Sequence, residues 1–215
     1  MTEPAPHQRP TLAGTPASPA AVLDFWLADG VALGWPTQDL GQRWFTGGPE
    51  LDEAVRQQFG TAVALAQAGG LAEWETAPLD RLALVILLDQ FTRNLFRGSA
   101  RAFAGDARAQ QLVHQTLAAR QERQLPWVGR VFLYMPLMHA EDLALQDQCV
   151  DCFEKLLADA PEALKQRLQG NLDFARQHQA IISRFGRFPY RNAVLGRSHT
   201  PEEDEFLLKG PRFGQ

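Results

Sequence analysis

The chain has 215 residues, 45% of them hydrophobic and 21% charged, which supplies one sizeable core and excludes a globally disordered protein. A formal net charge of −4 argues against a general nucleic-acid or anionic-membrane binder, because both depend on a basic footprint. Two cysteines are too few to staple a secreted scaffold, and the longest aliphatic run, Leu82 to Leu88, falls far short of the roughly 20 residues of a membrane helix, so a cytoplasmic protein without a transmembrane segment is expected.

Residues 1–19 carry Pro4, Pro6, Pro10, Pro16 and Pro19 with few large apolar groups, and are expected to form a mobile tail without a signal peptide. Ser18-Pro19 then caps and opens a helix filled by Val22, Leu23, Phe25, Trp26 and Leu27, with Gly30 and Gly34 marking the turn after it. Pro49 opens a second helix, in which Leu51, Val55, Phe59, Ala62, Val63 and Ala66 recur at three-and-four spacing until Gly69-Gly70. A third runs from about Pro78 to Phe96 and is apolar on every face in its middle, which marks a helix enclosed by neighbours. Further helices are expected from about Asp106 to Arg120, between Pro126 and Pro136, from about His139 to Leu157, and from about Pro161 to Phe185. Thr200-Pro-Glu-Glu203 reads as a capping box opening a last helix through Leu208. No segment alternates with period two for long, so the fold class is all-α, a single domain over 20–208 of antiparallel helix pairs with a short tail over 209–215.

Three polar clusters stand out. At the end of the third helix Asp89, Arg93 and Arg97 are spaced i, i+4, i+8 beside Asn94, so they share one ridge where Asp89 can orient Arg93. Between Arg176 and Thr200 an acidic protein places five arginines and no acid, and Arg184, Arg187, Arg191 and Asn192 are interleaved with aromatic rings around Gly186 and Pro189. Guanidinium groups presented from such a turn suit planar, bidentate recognition of carboxylate or phosphate, although helix-end charge complementation alone also accounts for them. The third cluster is His139, Glu141 and Asp142, where Asp142 lies one turn from His139 and is positioned to orient it as a base; His178 joins it only through tertiary packing. Cys149 and Cys152 match C-x-x-C but fall inside a helix, so they read as small core residues. Neither a metal nor another cofactor is expected: the HExxH spacing, phosphate-cradling loops and the dinucleotide fingerprint are all missing from the sequence.

The stretches Val22-Leu-Asp-Phe-Trp26, Trp44-Phe45, Leu88 to Gly98, Tyr134 to Asp142, and His178 followed by Arg184 to Asn192 resemble, in the same order, a bacterial family of unknown function, DUF924. The resemblance covers roughly 20–208 and implies a tetratricopeptide-like, right-handed array of helix pairs, which the spacing of the helices does not itself show. It points to the polar residues already singled out and implies no reaction. Thr92 stands where the family pattern has proline, and Tyr190 where it has histidine, which removes an acid–base imidazole from that position.

The leading expectation is a pocket for a small anionic molecule or the acidic end of a peptide, with Arg187 and Arg191 clamping the anion, Arg93 assisting, and His139 with Asp142 donating a hydrogen bond. An enzyme using His139 or His178 as acid–base group on a phosphorylated or carboxylated substrate is the second reading. The third is a ligand-free polar network that fixes helix packing.

Overall fold

The computed structural model describes residues 17–211, so all but the end of the expected N-terminal tail, and residues 212–215 of the C-terminal one, lie outside the described residues. Every regular element among the described residues is helical, and none of the helices is long and apolar enough to cross a membrane.

Helix α1 (Pro19–Leu27) starts as the sequence implies, with the Ser18 hydroxyl accepting from the Ala21 amide at 3.2 Å and proline at its first position. It buries Val22, Leu23, Trp26 and Leu27 along one face. Two short helices that the periodicity does not signal follow, α2 (Gly30–Leu33) and α3 (Gly41–Phe45). Side chains hold α3 in place: Trp44 Nε1 donates to the Trp26 carbonyl at 2.8 Å and Arg43 Nη1 to the Phe25 carbonyl at 2.6 Å. Such tertiary ties override the weak helical tendency of five residues. Helix α4 (Pro49–Gln67) buries Val55, Phe59, Ala62, Val63 and Ala66, the stripe its sequence predicts.

The centre of the molecule is a helix in three parts: α5 (Pro78–Ile86), a π-helical turn over Leu87–Phe91, and α6 (Thr92–Leu95). Every residue from Arg81 to Thr92 is buried, because α1, α4, α7 (Asp106–Ala118) and α8 (Trp127–Met138) surround it. One close approach makes that enclosure possible. A β-carbon on Gly105, just ahead of α7, would lie 2.3 Å from the Leu88 carbonyl oxygen, so only glycine lets the start of α7 meet the π turn.

Helix α8 continues through Pro136 rather than ending at it, and His139 forms its C-cap. The next helix, α9 (Leu143–Asp159), accordingly begins later than the sequence suggests: the Asp142 carboxylate accepts from the Leu145 amide at 3.1 Å and sets its N-cap. Two residues join α9 to α10 (Glu162–Phe185), which therefore lies antiparallel against it. Gly186, with φ of 67°, ends α10 in the left-handed conformation that reverses the chain. The returning segment packs Phe188 with Ile181 and Ile182, a small second core flanked by Phe206 of α11 (Pro201–Lys209). The Thr200–Glu203 capping box opens α11 as expected.

Candidate functional site

The π turn carries the most deeply placed charge in the site. Asp89 has no exposed surface, and His139, Arg93 and Gln90 surround its carboxylate. His139 Nδ1 lies 2.8 Å from Oδ1, Arg93 Nη1 lies 3.2 Å from the same oxygen, and Gln90 Nε2 donates to Oδ2 at 2.6 Å. Arg93 reaches further, donating from Nη1 to the Asp89 carbonyl at 2.6 Å and through both terminal nitrogens to Asp106 at 3.0 Å. One guanidinium thus bridges two carboxylates from two helices. A π turn displaces backbone and side chains from the regular helical ladder and recurs at functional positions. Burial alone would raise the Asp89 pKa, but the Arg93 charge and the hydrogen bonds from His139 and Gln90 outweigh it and hold the carboxyl well below the usual range.

An ionised Asp89 has only acceptors to offer, so the proton of a neutral His139 sits on Nδ1 and Nε2 carries the lone pair. Burial pushes the His139 pKa down; the Asp89 carboxylate opposes this, and the Arg93 and Arg191 charges reinforce it, leaving the group below its ordinary value. His178 is oriented in the same sense, with Nδ1 2.8 Å from the Phe174 carbonyl, and burial with the nearby His139 pushes it down to about 3. The two rings lie 6.3 Å apart, although one comes from the end of α8 and the other from the middle of α10.

Both histidines line a partly open cavity of about 450 Å³ formed between α3, α6, α8 and α10. Its cationic wall comprises Arg43, Arg93 and Arg97, and its apolar wall includes Trp44, Phe103, Met135 and Met138. Among the described residues that line it there is no carboxylate. Asp89, Asp106 and Asp52 instead stand behind the wall: Asp52 takes Arg97 through two contacts of 3.1 Å and Asn94 at 2.8 Å. At the mouth, Phe45 of α3 and Phe174 of α10 stack at 6.3 Å and 19°, each about half exposed.

A family model described as a bacterial protein of unknown function, DUF924, matches residues 22–211. The chain belongs to the DUF924 family. Among solved structures it is similar to the protein of unknown function ATU0120 from Agrobacterium tumefaciens, with 33% identity, a TM-score of 0.75, and coverage of 89% of this chain and 97% of that one. Among curated proteins nothing matches.

In this DUF924 protein the polar residues singled out in the sequence divide into two groups. Arg93, Asn94, Arg97, His139 and His178 line the cavity, with Asp89 behind its wall against His139. The others are engaged elsewhere. Asp142 spends its carboxylate on the α9 N-cap, so the partner of His139 is Asp89, not the neighbour one turn away. Glu141 accepts from Arg197 at 2.6 and 2.9 Å and from the Phe188 amide at 2.8 Å, which ties the segment after α10 to the end of α8. Arg184 pairs with Glu202 at the surface, and Arg187 holds the buried Glu203 at 2.6 and 2.8 Å, with Asn192 donating to the same carboxylate. Neither Arg184 nor Arg187 lines the cavity, so the expected clamp of Arg187 on an anion there does not match this placement.

Arg191 occupies a position between the groups. It is buried, donates to the His139 carbonyl at 3.0 Å and stacks on Phe103 and Phe188, while its Nε and Nη2 find no acceptor among the described residues. Sequence reasoning did not single out Asp106, Asp52, Gln90, Arg43 or Phe174. Asp106 and Asp52 each read as an ordinary first-turn acid on its own helix, and only tertiary packing shows their partners. Among the described residues no group of three His, Cys, Asp or Glu side chains is placed to hold a metal ion. Cys149 and Cys152 lie on α9, and burial pushes both thiols up, away from thiolate reactivity at neutral pH.

Proposed function

We propose that the cavity of this DUF924 protein binds a small anionic molecule. The observation that carries this reading is the sign of the wall: Arg43, Arg93 and Arg97 face the cavity with two histidines, and the balancing carboxylates are withdrawn behind it. In a partly buried cavity such donors act on an anion at a lower effective dielectric than in bulk water. A pocket of about 450 Å³ suits a small molecule better than a length of peptide, so an acidic peptide would enter by its end only. Helix pairs such as α9 and α10 are consistent with the tetratricopeptide-like, right-handed array that the family resemblance implies, and the free thiols with a cytoplasmic setting.

A second reading rests on the Asp89–His139 pair. A carboxylate that fixes the imidazole tautomer and leaves Nε2 basic is the arrangement of a general base, and on this reading the bound anion is a substrate. Thermal unfolding with small phosphates and carboxylates tests the binding reading. An anion at about 100 times its Kd stabilises the protein by roughly 2.7 kcal/mol, several degrees for a chain of this size. Arg97→Gln, at the rim, is expected to shrink the shift; a panel without any shift would remove the reading.

A further inference from the structure

We infer that the anion is an amphiphilic monocarboxylate: one carboxylate on a compact apolar body, aromatic or medium-chain. The inference rests on the anion-site reading and adds the ligand's size, charge and shape. The first ground is volume. About 450 Å³ lies within the range that holds small organic ligands and is far larger than an inorganic anion needs.

The second ground is the composition of the walls. Trp44, Phe103, Met135 and Met138 all line the cavity, Phe103 with its ring 5.6 Å from the Arg93 guanidinium carbon, and methionine side chains adjust to the outline of an apolar guest. At the mouth Phe45 and Phe174 stay half exposed, at 50% and 47%, and stack on each other over the opening rather than folding into the core. A pair of large aromatic faces left at the entrance of a polar-ended cavity is what an entering apolar body would meet first.

The third ground is charge. Around the cavity Arg93 and Arg97 pair with the carboxylates of Asp89, Asp106 and Asp52, whereas Arg43, on the cavity wall, and Arg191, outside the lining, donate to the carbonyl oxygens of Phe25 and His139. His139 and His178 add no charge at neutral pH, because burial keeps both rings neutral. One positive charge is left over, which matches a single carboxylate and not a phosphoryl dianion.

Isothermal titration of the full chain with octanoate, acetate, 1-octanol and inorganic phosphate decides the matter. Octanoate is expected to bind at least tenfold more tightly than each of the other three, and Phe174→Ala and Phe45→Ala to weaken octanoate severalfold. Phosphate binding as tightly as octanoate would overturn the amphiphile while leaving the anion site standing. 1-Octanol binding as tightly as octanoate would show an apolar cavity indifferent to charge, and both readings would fall. If both phenylalanine variants retain full octanoate affinity, the ligand sits elsewhere and the inference is wrong.

Discussion

Asp89 and His139 are fifty residues apart in the chain and 2.8 Å apart in the fold. The contact joins the π turn of the central helix to the C-cap of α8, and Arg93 completes it from the other side of the carboxylate. Removing the carboxylate charge therefore acts on two helices at once. Asp89→Asn leaves the buried Arg93 with Asp106 alone and offers His139 an amide that fixes neither tautomer. Breaking a buried pair by changing one member costs about 3–5 kcal/mol, and the surviving Asp106 contact places this variant near the lower end. Urea unfolding monitored at the tryptophans measures it; a loss below about 1 kcal/mol would mean that the carboxylate contributes nothing beyond packing.

The buried histidines make stability depend on pH in a defined direction. His178 titrates near 6.5 when unfolded and at about 3 when folded, and His139 is displaced the same way. Between those values the unfolded chain binds more protons than the folded one, so stability is complete above about pH 6.5 and falls as pH drops toward 3. Each such histidine contributes a slope of up to about 1.4 kcal/mol per pH unit in that window. Unfolding free energies at pH 7.5, 6.5, 5.5 and 4.5 should decline accordingly, and His178→Gln should flatten the decline. A curve that stays level from 7.5 to 4.5 would contradict neutral, buried imidazoles.

How far the sequence discloses this site depends on the range of each interaction. The ridge Asp89–Arg93–Arg97 is local, so helical spacing alone put its members together, and the Ser18 cap and Thr200 box are local for the same reason. The π turn is not legible in this way, because an all-apolar run carries no phase from which a wider turn would show. The sequence places His139 at the start of the following helix, because Pro136 reads as a stop. The helix instead tolerates that proline, and Asp142 takes the cap that ends the ambiguity. For Arg187 the sequence leaves a ligand-binding role and charge complementation by the acids that follow both open, and the tertiary contact with Glu203 on the next helix is what engages its guanidinium. The cavity itself, built from four helices, exists only at the level of packing.

Gly105 offers a test of how tightly that packing is set. Its missing β-carbon would meet the Leu88 carbonyl at 2.3 Å, a backbone atom inside the central helix that no rotamer change can move. Gly105→Ala is expected to destabilise the protein by about 1–3 kcal/mol and to draw Asp106 away from Arg93. Gly170 on α10 is the matched control, since a β-carbon there meets no heavy atom within 4 Å. Gly170→Ala should stabilise by about 0.5–1 kcal/mol through helix propensity. Thermal unfolding of the two variants should shift in opposite directions; equal shifts would mean that the contact at Leu88 relaxes at little cost.

The C-terminal arginines separate a structural role from a binding one. Glu203 is buried at the start of α11 and accepts from both Nε and Nη2 of Arg187, from the Thr200 amide at 2.8 Å and from Asn192, which together hold its carboxyl down to about 2. Arg187→Ala strips away two of these donors and leaves a buried carboxylate under-satisfied, so α11 and the segment carrying Tyr190 should loosen together. Arg184, whose pair with Glu202 is half exposed on both sides, is the contrasting case, because exposed ion pairs contribute little. Hydrogen exchange of the full chain should show amide protection lost over Pro201–Lys209 in Arg187→Ala, retained over Pro78–Ile86, and unchanged everywhere in Arg184→Ala. Were Arg187 a clamp on the ligand, the pattern would reverse: octanoate affinity would disappear in Arg187→Ala while exchange over α11 stayed at the wild-type rate.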